Sequence, residues 1–320
     1  MTVLIEAAGL TKRFGPILAV DGISLSVKQG EVLGFLGPNG AGKSTTMKMV
    51  TGFLGPDAGS ASICGFDIGQ SPKEAKRRLG YLPEGAPAYG EMTARSYLAF
   101  IAEIRGARGA EIDRQIDGAV EKTALEGVLG QRVETLSKGF KRRVGLAAAI
   151  LHDPPVLIMD EPTDGLDPNQ KHHVRTLIRE MAAKKAIIIS THILEEVEAV
   201  CSRAVVIDKG RIVADGTAED LMRRANYHGA VAIRVPLNEA EKISKILAGA
   251  KDVERVETLS KLNGSAQLRV TPKSGKQIAA DVAALLREKA LPIDELYVER
   301  GRLDEVFRQI TTSDQGGKNA

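Results

Sequence analysis

A chain of 320 residues has room for one large domain and one small one, and 43% hydrophobic against 27% charged residues is the balance of an ordered globular protein, not a disordered or fibrous one. With a formal net charge of only +3, no strong field points to nucleic acid, and the balance by itself discriminates almost nothing. Two cysteines, Cys64 and Cys201, are too few and too far apart for a metal cluster or a disulfide framework and read as small core residues; no run of 18 apolar residues offers a membrane span, and residues 1–9 carry no signal-like pattern.

The first informative element is the apolar run Val32–Leu36, which stops at Gly37 and is followed after Gly42 by a helix-compatible segment. Between the two, Gly37-Pro38-Asn39-Gly40-Ala41-Gly42-Lys43-Ser44, with Thr45 directly after, fits the phosphate-loop pattern G-x-x-x-x-G-K-[S/T]. Such a loop wraps phosphate in backbone N–H groups, and the helix that follows adds its positive end. Lys43 is placed to reach the β- and γ-phosphates, and the Ser44 hydroxyl to ligate Mg²⁺.

Further along, Leu98, Ile101, Ile104, Ile112, Ile116 and Val120 recur at helical spacing and predict a helical insertion over about 90–140. The runs 156–159 and 186–189 have the length and β-branched content of strands covered on both faces, hence of a parallel sheet. Met159-Asp160-Glu161-Pro162 sets two carboxylates at the carboxyl edge of the first run, where open α/β sheets bind ligands. Asp160 suits the Mg²⁺ shell, and Glu161 suits a base that polarises water for attack on the γ-phosphate. A hairpin is expected around Asp208-Lys209-Gly210-Arg211.

After Leu221-Met222-Arg223-Arg224 the polar Asn226, Tyr227, His228 and Gly229 announce a smaller α+β unit. Val231, Ile233 and Val235, and then Ala266, Leu268 and Val270, alternate with polar or small neighbours as half-buried strands do. Helical stripes run through Ala240, Ile243 and Leu247, through Ile278, Val282 and Leu285, and through Leu303, Val306, Phe307 and Ile310. The expected organisation is therefore a large domain at 1–224, a small accessory domain at 230–310 and a disordered tail at 311–320.

With these motifs in hand the chain resembles the ATP-binding-cassette (ABC) transporter ATPases over roughly residues 3–222. Gly80-Tyr81-Leu82-Pro83-Glu84 looks like the family's lid loop, Leu136-Ser137-Lys138-Gly139-Phe140 resembles its signature, and Thr163-Asp164-Gly165-Leu166-Asp167 and Ser190-Thr191-His192 follow in the family's order. The resemblance implies an α/β P-loop NTPase cassette with a parallel core sheet, an antiparallel edge subdomain and a helical insertion, followed by the small α+β domain. It implies ATP and Mg²⁺ as ligands, Glu161 and His192 as the catalytic pair, and Phe14 as the ring that stacks on adenine. Glu84 would approach Mg²⁺ and the phosphates. Ser137 and Gly139 of one subunit would close over ATP held by Lys43 of a second in a head-to-tail homodimer, with Asp167 at the seam.

Glu84 stands where the family usually has Gln, and Lys138 and Phe140 replace a Gly and a Gln of the usual signature. Lys138, Lys141, Arg142 and Arg143 make this stretch basic and read as a solvated helix face, with Lys138 available to attract phosphate. The lid, the Lys138 signature and the extra domain are similar to bacterial exporters of the multidrug and gliding-motility group. That resemblance implies separate multi-helix permeases as partners, peripheral residence at the cytoplasmic membrane face, solubility when isolated, and neither direct nucleic-acid contact nor a covalent anchor. The competing expectation is a non-transport cassette ATPase acting mechanically on a nucleic-acid or ribosomal complex. Ala86, Pro87, Ala88, Tyr89 and Met92, beside the lid, are the expected landing patch for a permease.

Overall fold

A computed structural model describes residues 2–85, 89–225, 227–262, 264–273, 276–299 and 301–312. The chain divides into two compact units between Ala218 and Glu219.

In the first unit, β1 (Val3–Phe14) and β2 (Ile17–Lys28) form a long hairpin, and β3 (Val32–Leu36) leads into α1 (Lys43–Val50). Then come β4 (Ala58–Ile63), β5 (Phe66–Asp67), α2 (Pro72–Arg77) and β6 (Leu79–Leu82). The insertion supplies α3 (Ala94–Arg105), α4 (Ala110–Thr123) and α5 (Lys138–Ile150). The unit ends with β7 (Val156–Asp160), α6 (Pro168–Ala182), β8 (Ala186–Thr191), α7 (Leu194–Val200), β9 (Arg203–Asp208) and β10 (Arg211–Gly216).

Two sheets result. The antiparallel one has the order β2-β1-β4-β5; the other has the order β10-β9-β3-β8-β7-β6, parallel throughout except for the β9–β10 hairpin at its edge. Every residue of β3, β7 and β8 is buried, which is why their sequences are continuous apolar runs and not alternating ones. Each large side chain so covered contributes about 1.5–3 kcal/mol.

Register carries this packing to function. Leu36 lies beside Thr191, Asp160 beside Ser190, and Leu82 beside Met159. Four neighbouring parallel strands thus end at one edge, and the segments leaving β3, β6, β7 and β8 there are the phosphate loop, the lid, the carboxylate pair and the His192 turn.

The second unit opens with the end of α8 (Ala218–Met222), followed by β11 (Val231–Pro236), α9 (Ala240–Ala248), β12 (Val253–Leu262), β13 (Ser265–Pro272), α10 (Ala279–Glu288), β14 (Glu295–Val298) and α11 (Leu303–Thr312). The antiparallel order β12-β13-β11-β14 with its βαββαβ connection is a ferredoxin-like layer. Val231, Ile233, Val235, Ala266, Leu268 and Val270 point into one core with Ile243, Leu247 and Val282.

The structure differs from the sequence reading at several places. Helix α11 continues through Thr311 and Thr312, which the aperiodic composition assigned to the tail; residues 313–320, like Ala86, Pro87, Ala88 and Asn226, lie outside the described residues. Arg142 and Arg143 are buried at 5% and 8% exposure instead of lying on a solvated face. Lys138 does not point freely toward a phosphate: its Nζ pairs with Asp164 at 2.8 Å. Cys64 and Cys201 are free thiols packed against the two cores of the first unit, and burial pushes Cys201 up to about 12.

Candidate functional site

The loop after β3 is held in a shape that glycine permits. Gly42 has φ +104°, and a Cβ there would stand 2.4 Å from the Ala19 carbonyl oxygen. Asn39 and Gly40 lie exposed at the tip, Gly37 is buried at the strand end, and Ser44 and Thr45 sit half-buried in the first turn of α1. Lys43 is 7% exposed, and its Nζ donates to the carbonyl oxygens of Gly37 (2.7 Å) and Pro38 (3.2 Å). Burial lowers the Lys43 pKa, against the opposing pull of Glu161, Asp160 and Glu84. A buried ammonium with three carboxylates nearby, folded back on its own loop, is a cation ready to be drawn outward by phosphate oxygens.

Across the strand edge, Asp160 is 1% exposed and its Oδ1 accepts from the Ser190 hydroxyl, while its Oδ2 has no hydrogen-bond partner among the described residues. An orphaned carboxylate oxygen at this depth is costly unless a cation claims it, so the donor set of Asp160 and Ser44 fits Mg²⁺. Glu161 follows at φ +51°, an unusual left-handed conformation for a non-glycine residue. Its N–H donates to the Ser190 carbonyl at 2.9 Å, and its Oε1 lies 2.9 Å from His192 Nδ1. His192 is half-exposed while the Glu161 side chain is only 14% exposed, so the imidazole covers the carboxylate from the solvent side. Glu84 is exposed and near enough to act on the Lys43 charge.

The remaining expected site residues occupy a different neighbourhood. Ser137 caps α5, its Oγ accepting from the Phe140 N–H at 3.3 Å. A Cβ on Gly139 would meet Gln170 Oε1 at 2.8 Å, the end of a flexible side chain that would have to turn aside, so α5 lies close against the start of α6 here. Asp167 caps α6 through the Gln170 N–H at 2.9 Å. Among the described residues no hydrogen bond joins Ser137 or Gly139 to the loop 37–44. Phe14 ends β1, 46% exposed as a residue, with the Lys12 Nζ 5.9 Å from its ring centroid, which leaves ring surface for a planar group.

Two contributors were missed by sequence reasoning. Glu196 on α7 is 2% exposed; it accepts from Thr191 Oγ1 at 2.9 Å and from the Thr163 hydroxyl, stitching the segment after β7 to the end of β8. Burial raises its pKa despite the Thr191 hydrogen bond. Arg142 on α5 donates to three backbone carbonyls at the strand edge, those of Pro83, Asp160 and Glu161. No local signal marks either one, because apart from Thr191 each is defined by partners 18 to 59 residues away.

A second surface of the same unit is apolar. Phe53 (76% exposed) and Ile104 (64%) flank a groove of about 700 Å³ with Ile101 and Leu79 inside and Lys73, Lys76, Arg77 and Arg105 among its lining cations. Tyr89 stands edge-on to Phe100 at 5.5 Å between ring centroids yet remains 61% exposed, and Met92 packs on the insertion's core.

The family model described as ABC transporter matches residues 20–164. The linearmycin resistance ATP-binding protein of Bacillus subtilis is 32% identical over 311 residues, covering 96% of this chain and 98% of its own. The Nod factor export ATP-binding protein I of Ralstonia nicotianae is likewise 32% identical, over 97% of this chain and 94% of its own. Among solved structures, the ATP-binding subunit of an ABC transporter is 34% identical and superposes with a TM-score of 0.65 over 69% of this chain and 92% of that one.

Proposed function

The chain belongs to the ABC transporter family, as an ATP-binding subunit that hydrolyses ATP with Mg²⁺, and from that premise we propose how its residues divide the work. The observation that carries the reading is the convergence of Lys43, Asp160, Glu161 and His192 on one sheet edge, with Asp160 Oδ2 unclaimed.

The amides of the loop 37–44 and the Lys43 ammonium hold the phosphates, and the Phe14 ring stacks on adenine. Ser44 and Asp160 hold Mg²⁺, which when bound neutralises charge on the phosphate oxygens; Glu84 lies at the edge of that shell. Glu161 accepts a hydrogen bond, and then the proton, from the water that attacks the γ-phosphate. His192, through Nδ1 at 2.9 Å from Oε1, fixes the carboxylate's direction and shields it from bulk solvent.

The site on one chain is open on the side of the phosphates away from Lys43. Two copies arranged head to tail would close it, Ser137 and Gly139 of the partner subunit adding the helix start of α5 as a further set of donors, with Asp167 at the seam. Turnover would then open and close the pair.

No described helix is long and apolar enough to cross a membrane. The transport path is assigned to separate permeases, and the groove between Phe53 and Ile104 to a short permease helix with apolar and acidic faces, matched to the groove's apolar floor and its cations. The landing site proposed here is thus the groove next to Tyr89, and the residence proposed is peripheral, at the cytoplasmic face. Export, of the kind named for its relatives, is the direction proposed.

The test is Glu161→Gln. That chain should bind ATP, lose turnover by at least about 100-fold, and become a dimer in light scattering when ATP is added. Undiminished hydrolysis would remove Glu161 from the catalytic role, and a monomer at saturating ATP would remove the head-to-tail pair.

A further inference from the structure

Arg142 is a cation without a role in the scheme above, and its surroundings are specific. The side chain leaves the second turn of α5, the helix whose first residues start at the Ser137 cap. Nη1 donates to the Pro83 carbonyl at 2.7 Å; Nη2 donates to the Glu161 carbonyl at 2.6 Å and to the Asp160 carbonyl. One planar guanidinium therefore joins three structures: the insertion helix, the lid residue before Glu84, and the backbone of both catalytic-edge carboxylates.

The position of Glu161 makes that link consequential. Its backbone sits at φ +51°, outside the conformations a glutamate prefers, and it is clamped on both sides, its N–H on the Ser190 carbonyl and its C=O under Arg142. Relaxing the clamp would swing the carboxylate away from the place where water must stand. The cation is 5% exposed, and burial lowers its pKa against the pull of Asp160, Asp164, Glu161 and Glu84; it is retained at depth because carbonyls and carboxylates surround it.

We propose that Arg142 is the positioning residue that sets the Glu161 carboxylate and locks it to the lid, so that a shift of α5 moves the chain's own catalytic edge. The inference rests on the ATPase and head-to-tail reading, because Ser137 at the start of the same helix is there assigned to the partner's nucleotide. Contact with that nucleotide would pull on α5, and Arg142 would carry the displacement to Glu161 and Pro83. The two sites would then fire in a coupled manner, without Arg142 touching substrate.

The experiment compares wild type, Arg142→Gln and Arg142→Lys as full chains with Mg-ATP. In Arg142→Gln the kcat should fall about 30-fold or more while the dissociation constant for ATP stays within about twofold, since a misdirected base costs rate and not binding. The Hill coefficient for ATP should drop toward one. Arg142→Lys should recover part of the kcat, because an ammonium restores charge but cannot span the carbonyls as a fork does. Hydrogen exchange should quicken in peptides covering 82–85 and 160–165 and remain unchanged in 186–189. A wild-type chain that turns over ATP beside an Arg142→Gln chain with kcat within threefold overturns this inference alone. Parallel loss of ATP affinity, melting temperature and kcat in both variants also overturns it, since Arg142 would then serve only packing. Absence of turnover in the wild type itself would instead strike the ATPase reading.

Discussion

Truncating Phe53 to alanine tests the proposed permease groove quantitatively. A phenylalanine side chain buries about 200 Å² when fully covered. With 76% of the residue exposed in the free chain, about 150 Å² is available to a docking helix. At about 25 cal/mol per Å² that area is worth up to about 4 kcal/mol, and truncations at the centre of an interface commonly cost about 2 kcal/mol or more. The expected loss is thus about 2–4 kcal/mol, or about 30- to 1,000-fold in dissociation constant. The assay is binding of the chain to its permease in nanodiscs, with ATP affinity as the control that the cassette is intact. A photoreactive group at position 104 should capture the same permease. Binding of Phe53→Ala as tight as wild type, with Tyr89→Asp the variant that dissociates, would refute the groove and return the contact to the patch beside the lid.

Other outcomes follow from single residues. Gly42→Ala should lose at least about tenfold in ATP affinity by titration, because its Cβ would sit 2.4 Å from the Ala19 carbonyl oxygen at a φ of +104°. Burial, reinforced by Arg105, pushes His152 down to about 4, so the fold prefers the neutral ring. That preference stabilises fully above pH 6.5 and is lost as pH falls from there toward 4, giving a drop of about 2 kcal/mol between pH 7 and 5 in urea unfolding that His152→Gln should abolish. Glu196 has the opposite sense: its raised pKa means that the folded state favours the protonated acid, so a penalty sets in as pH rises above the ordinary carboxylate value of 4.5. Wild type measured against Glu196→Gln should therefore lose ground as pH is raised through that range, and a difference independent of pH would contradict it.

The sequence made the strand-end chemistry legible because phosphate binding fixes spacing. Gly37 to Ser44 must fall directly after β3, Asp160 must end an all-buried β7 and Glu161 follow it, so motif and apolar run mark the same points. The second unit was half legible. β11 and β13 alternate cleanly against their core, whereas β12 and β14 are the outer strands of the sheet and carry Glu254, Arg255, Thr258 and Tyr297 exposed, leaving no apolar period to read. Arg142 and Glu196 were illegible for another reason. A charged residue on a helix looks solvent-facing until distant backbone supplies its partners, and Pro83, Asp160 and Glu161 reach Arg142 only once β6 and β7 have paired.

The ferredoxin-like layer starts and finishes at one place. Val231 opens β11 opposite Val298, which closes β14, and the Glu299 N–H donates to the Ala230 carbonyl at 2.7 Å. A segment whose two ends already touch can be lifted out or exchanged without stretching what remains, since the gap to be rejoined is the width of one hydrogen bond and the loop-closure cost is small. The flanking pieces keep their own contact, Val306 of α11 packing with Ala225, Tyr227 and Ala230. The layer is in that sense a cartridge, its adjacent ends suited to circular permutation or to exchange as a unit.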